Sequence, residues 1–220
     1  MSKGTIVKKI LVLGPIKGGK SLISTYLGEY MGDSNPEFEL SQYSKYRPTK
    51  GVRITEFESK KYNVDGQQVK IDVQLWDVSG NTEYDMYWPV FKENVDGVIL
   101  VCNPAIHKQD DLLFWYHEFV TKQNMSNERV MVVLTEMGSE KGKNEGIISD
   151  FKIVDPLNSL TFVACNLRFE GQNLKVDLDQ FLAKILRQEG QEDKLPTGFV
   201  GKERVISGDD EEEEEEDDDF

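Results

Sequence analysis

The sequence predicts an α/β fold: a six-stranded, mostly parallel sheet with one antiparallel edge strand and helices on both faces. Three observations impose it. The apolar run Ile10–Leu13 empties into a glycine-rich turn, Gly14 to Ser21, and then into helical spacing of Leu22, Ile23, Tyr26 and Leu27. Two later apolar runs, Val98–Val101 and Val130–Leu134, carry no alternation, as befits strands covered on both faces. Strand and helix patterns also alternate along the chain, which calls for right-handed crossovers and a parallel sheet.

Taken in order, a strand ends at Leu13 and a helix covers Lys20 to about Tyr30. Residues 31–47 have no period and read as a loop able to change conformation. One strand is expected over Gly51–Val64, a hairpin turn at Asp65-Gly66, and an antiparallel return over Lys70–Trp76, where Ile71, Val73 and Leu75 alternate. Glu83–Asn94 reads as a short helix, broken or begun late at Trp88-Pro89 because proline has no amide hydrogen. Val95–Asn103 is the next strand, Asp110–Gln123 an aromatic-rich helix and Val130–Leu134 a buried strand. Thr135–Glu145 is a loop, Ile147–Val154 a short helix closed by Pro156, and Leu160–Cys165 the last strand. Val176–Arg187 closes the domain as an amphipathic helix with Leu178, Phe181, Leu182 and Ile185 on one stripe.

Composition sets the limits. The net charge of −14 is concentrated in Asp209–Asp219, an uninterrupted run of acids; without it 29 acids face 26 bases. The folded part is therefore nearly neutral, with no basic field for nucleic acid. We expect one domain over residues 1–190 and a disordered, self-repelling tail over 191–220. Cys102 and Cys165 each fall in a buried strand, which favours reduced thiols. No apolar run reaches membrane-spanning length. The N-terminus lacks a signal-peptide core, and no terminal cysteine or N-terminal glycine offers a lipid anchor.

The chemistry starts in the turn Gly14-Pro15-Ile16-Lys17-Gly18-Gly19-Lys20-Ser21, a G-x-x-x-x-G-K-S loop. Its successive N–H groups (Gly14, Lys17, Gly18, Gly19) can cradle phosphates, Lys20 supplies a positive charge, and the Ser21 hydroxyl can ligate Mg²⁺. Asp77 ends the strand after Leu75-Trp76, where an acid orients a metal-bound water. Gly80 follows at a spacing that lets its amide meet a γ-phosphate, and Thr49 stands where its hydroxyl can close over the metal. The order of phosphate loop, Thr and Asp-x-x-Gly is that of small GTPases.

The segments Pro48-Thr49-Lys50-Gly51-Val52-Arg53-Ile54-Thr55-Glu56-Phe57-Glu58, Leu75-Trp76-Asp77-Val78-Ser79-Gly80, Tyr87-Trp88-Pro89 and Asp96–Val101 resemble the Rab-like small GTPases of intraflagellar transport complex B. The likeness runs from about residue 8 to residue 187 and leaves out the acidic tail. It implies a small-GTPase fold, bound GTP or GDP with Mg²⁺, and docking on the coiled-coil subunits of complex B. It also implies a place in the cytoplasm and in the cilium or flagellum and its base. The isolated chain is expected to be a monomer without a membrane anchor of its own. Ile54, Trp76 and Phe91 resemble the apolar patch through which Rab proteins meet effectors, although plain core packing accounts for them equally well.

Departures from the family pattern bear on turnover and on the base. Ras-like GTPases carry Gln after the switch glycine to orient the attacking water; here the residue is Asn81, shorter by one methylene and a weak catalytic candidate. Ile16 is bulky where the loop is usually small and should obstruct an arginine finger. The chain is therefore expected to be at most a slow GTPase; a switch driven by an external activator is the second reading. A metabolite kinase is disfavoured because no Arg-rich lid follows the central strands, and a scaffold without nucleotide because Lys20-Ser21 is intact. Where Asn-Lys-x-Asp should read guanine, the sequence is Thr135-Glu136-Met137-Gly138, and the later base loop is Cys165-Asn166-Leu167. Glu136 and Asn166 are thus the base-binding candidates, with weaker discrimination against ATP expected.

Overall fold

The computed structural model describes residues 6–30, 47–64, 66–136, 151 and 153–192. The stretch 193–220 with the acidic tail, the loop over 31–46 and the whole segment 137–150 lie outside the described residues. So do the expectations made for them, including Asp65 of the hairpin turn.

Strands β1 (Ile6–Leu13), β2 (Val52–Glu58), β5 (Ile71–Val78), β6 (Gly97–Cys102), β7 (Val130–Thr135) and β8 (Thr161–Cys165) form one sheet in the order β2-β5-β1-β6-β7-β8. All neighbours run parallel except β2, which lies antiparallel to β5 at the edge. The predicted six-stranded sheet is therefore found. Helices α1 (Lys20–Tyr30), α2 (Trp88–Phe91), α3 (Gln109–Phe119) and α4 (Leu167–Glu192) cover it.

The two-residue period of a strand sorts the core into two layers. Ile10 and Val12 of β1, Ile99 and Val101 of β6, and Met131 and Val133 of β7 face α1 and α4, packing on Ile23, Leu27, Leu178 and Phe181. Leu11, Leu13, Val98, Leu100 and Val132 face the other way, onto Trp88, Phe91, Leu112, Trp115 and Phe119. With both layers covered, the central strands need no polar face.

The structure corrects three boundaries. The strand expected over Gly51–Val64 is two, because Ser59 leaves the sheet edge: its N–H donates to the Ile71 carbonyl at 2.9 Å and its hydroxyl accepts from the Ile71 N–H at 3.1 Å. The chain beyond forms a separate hairpin, β3 (Tyr62–Val64) with β4 (Gln67–Val69), turned at Gly66 with φ +80°. The helix at Glu83–Asn94 is a 3₁₀ turn, Thr82–Tyr87, followed by the single turn of α2 with Pro89 at its start, where the missing N–H costs nothing. Helix α4 begins nine residues before Val176. Gly171 lies where α4 passes α1: a Cβ there would lie 2.3 Å from the Tyr26 hydroxyl, so a larger residue would require the Tyr26 side chain to move. Phe151, Ile153 and Val154 are not helical, unlike the expectation for that segment.

Candidate nucleotide-binding site

The phosphate loop joins β1 to α1, at the carboxyl end of the sheet where α/β proteins bind ligands. Glycine is required by contact here as well as by turn geometry. A Cβ on Gly14 (φ +141°) would fall 2.0 Å from the Val101 carbonyl oxygen, and one on Gly19 (φ +98°) 2.9 Å from the Thr135 side chain. Lys17 holds φ +65°, a left-handed conformation that non-glycine residues seldom adopt. The loop is thus pressed against the ends of β6 and β7.

Lys20 is buried at 6 % exposure, and its Nζ donates to the carbonyls of Gly14 and Pro15, each at 2.8 Å. Burial pushes its pKa down to about 8, only partly opposed by the charge of Asp77. An under-solvated ammonium of this kind gains much from an arriving phosphate.

Around it, three distant segments converge. Ser21 Oγ lies 2.7 Å from Thr49 Oγ1, and Thr49 Oγ1 donates to Asp77 Oδ2 at 3.1 Å. Asp77 is fully buried; desolvation raises its pKa, against hydrogen bonds from Ser21 and Thr49 and the charges of Lys20 and Arg53. Its other oxygen, Oδ1, is buried without a hydrogen-bond partner among the described residues. This all-oxygen set of two hydroxyls and one under-coordinated carboxylate fits Mg²⁺, which such sites hold with few protein ligands and the phosphates themselves. Ser21, Thr49 and, through water, Asp77 would hold it, and the ion would neutralise phosphate charge.

Gly80 lies directly on the loop: a Cβ there would come within 2.6 Å of the Ile16 nitrogen and 2.7 Å of Lys20 Nζ. Asn81 is occupied elsewhere. Its Oδ1 accepts from the Glu83 N–H at 3.2 Å and its Nδ2 donates to the Glu83 carboxylate at 2.7 Å, capping the 3₁₀ turn. Ile16 is 44 % exposed on the loop's surface.

On the base side, the Glu136 N–H donates to the Cys165 carbonyl at 2.9 Å, so Glu136 and Asn166 arrive on adjoining loops. Glu136 Oε1 is buried and has no hydrogen-bond partner among the described residues. Of the three interface candidates, Ile54 is 46 % exposed on β2, Trp76 is its half-buried cross-strand neighbour, and Phe91 is only 6 % exposed. Phe91 belongs to the core beneath Trp76, their ring centroids 6.3 Å apart, and is not available at the surface.

Three bracing residues escaped sequence reasoning. Thr135 Oγ1 donates to the Gly18 carbonyl at 2.8 Å. His107 Nδ1 accepts from the Asn103 N–H at 3.2 Å while its Nε2 meets the Ile16 carbonyl at 2.9 Å. Arg53, opposite Asp77 in the β2–β5 ladder, reaches the first turn of α1. Only Thr135 carried a signal, as the polar residue closing an apolar strand.

Residues 9–138 match the family described as Ras of Complex, Roc, domain of DAPkinase. Intraflagellar transport associated protein 2 of Caenorhabditis elegans is 38 % identical over 213 residues, spanning 87 % of this chain and 84 % of the relative. The chain belongs to the Rab-like small GTPases of intraflagellar transport. An intraflagellar transport protein 22 homolog of Rattus norvegicus is 28 % identical over 179 residues, covering 81 % of this chain and 89 % of its own. Among solved structures, the T. brucei IFT22/74/81 GTP-bound crystal structure superposes with a TM-score of 0.64. It is 24 % identical and covers 84 % of this chain and 98 % of that one. The GDP-bound T. brucei IFT22 structure gives a TM-score of 0.57 at 24 % identity, over 83 % and 98 %. These two structural likenesses concern the family fold. Among the described residues no helix is long and apolar enough to cross a membrane, and no cluster of three or more His, Cys, Asp or Glu side chains forms a metal site.

Proposed function

We propose that this chain binds GTP and GDP with Mg²⁺ and serves as a subunit of the intraflagellar transport complex B, docking on its coiled-coil subunits and turning GTP over very slowly. One observation carries the reading: Ser21, Thr49 and Asp77, from three separate segments, meet beside a buried Lys20 and leave one carboxylate oxygen without a partner among the described residues. Related proteins described as GTP-bound, as GDP-bound and as part of an IFT22/74/81 assembly support it. Ile54 and the exposed edge of Trp76 are the proposed docking residues. Isothermal titration with GTP, GDP and ATP, and capture of complex B subunits with each form, test the reading together. Failure of the chain to bind any of the three nucleotides would refute it.

Slow turnover follows from the engagement of Asn81 with Glu83. In single-turnover assays the rate should not exceed about 10⁻⁴ s⁻¹, the scale of an unassisted small GTPase. Asn81→Gln should raise it by less than about tenfold, because Ile16 still crowds the loop. A rate near one per second for the purified protein would contradict this.

Glu136 is the proposed base reader, since its buried Oε1, without a partner among the described residues, can accept from the ring N–H and amino group of guanine. Glu136→Ala should reduce the preference for GTP over ATP by about tenfold, the worth of one hydrogen bond to a charged group. An unchanged GTP-to-ATP ratio in titration would assign the base to another residue.

A further inference from the structure

Arg53 is an unexpected cation at the metal site. It faces Asp77 across the antiparallel ladder, with Nη2 3.7 Å from Asp77 Oδ2. The same nitrogen donates to the Ser21 carbonyl at 2.8 Å and to Thr25 Oγ1 at 2.7 Å, both on α1. One guanidinium thus ties the edge strand, the start of the phosphate-loop helix and the metal-site carboxylate together. Asp77 needs such help: it is fully buried, and an uncompensated charge at that depth is strongly unfavourable. Lys20 is already held by two loop carbonyls and will be drawn to phosphate. The Arg53 side chain, by contrast, is 47 % exposed, so it can yield its share of Asp77 when a divalent ion arrives.

We propose that Arg53 is a resident counter-cation of the metal site, offsetting the Asp77 carboxylate and keeping β2 docked on α1 when Mg²⁺ is absent, so that nucleotide is retained without the ion. The inference rests on the nucleotide-binding reading above. It also gives Arg53 a positioning role next to Ile54, so that this proposed docking residue keeps its place in both states.

The test is the release rate of fluorescent mant-GDP from the full chain, in millimolar Mg²⁺ and in EDTA. For Arg53→Gln, release should quicken about tenfold in EDTA, the worth of a charge-assisted contact, and by less than about twofold in Mg²⁺. Equal acceleration in both conditions would reduce Arg53 to a structural tie and overturn the proposal, as would no acceleration in EDTA. Arg53→Lys keeps the charge, so its release in EDTA should stay within about threefold of the parent protein. That variant carries the test if Arg53→Gln does not fold, and a tenfold loss in it would contradict the charge assignment. A parent protein that binds no mant-GDP would instead defeat the nucleotide-binding reading.

Discussion

Lys20→Ala is expected to lower the affinity for GTP and GDP by at least about 100-fold, since a charge-assisted phosphate contact in a buried setting is worth roughly 3 kcal/mol. The change also removes the donor that satisfies the Gly14 and Pro15 carbonyls and one of the charges facing Asp77. Phosphate binding and loop shape therefore fail together. Isothermal titration reads the loss, and circular dichroism separates it from unfolding. Lys20→Arg should not rescue binding, because the branched guanidinium does not fit a position exposed by only 6 %. An affinity for GTP within threefold of the parent protein would show that this lysine does not meet phosphate.

The second large effect is on stability. Trp88→Ala should cost about 3–4 kcal/mol, as large-to-small changes at buried aromatics do. Trp88 is 7 % exposed, with ring centroids 5.9, 5.4 and 5.2 Å from Phe114, Trp115 and Phe119, and it anchors the short α2 beneath the switch segment. Its indole N–H is buried without a partner among the described residues, which makes the site less favourable than packing alone implies and places the cost below the top of the usual range. Urea unfolding should show a lower midpoint with an unchanged slope, and a melting temperature lower by roughly 10 °C. Trp88→Phe should recover more than half of the loss. A cost under 1 kcal/mol for alanine would mean that the aromatic layer repacks.

These two residues also mark what a sequence can disclose. Lys20 lies inside a short motif whose chemistry depends on neighbours in the chain, and Trp88-Pro89 signals a helix start through the proline's own geometry. Asp77 was legible for the same reason, as the acid closing an alternating strand. What stayed hidden is tertiary. The break after Glu58 depends on Ser59 pairing with Ile71, twelve residues on, and no local propensity records it. The early start of α4 carries Gly171 past Tyr26, although glycine read locally weakens a helix. Nothing local in the sequence ties Arg53 to the metal site; the ladder register sets it opposite Asp77. For Phe91, where the sequence left effector patch and core packing even, the contact with Trp76 and its burial favour the core.

The proposed function centres on a glycine-lined loop that holds a purine triphosphate. Its most direct test is to strip the purified full chain of nucleotide and titrate GTP in the presence of Mg²⁺, beside Lys20→Ala. One GTP per chain, lost in the variant, is the predicted result. A stripped, folded parent protein that takes up neither GTP, GDP nor ATP would contradict it.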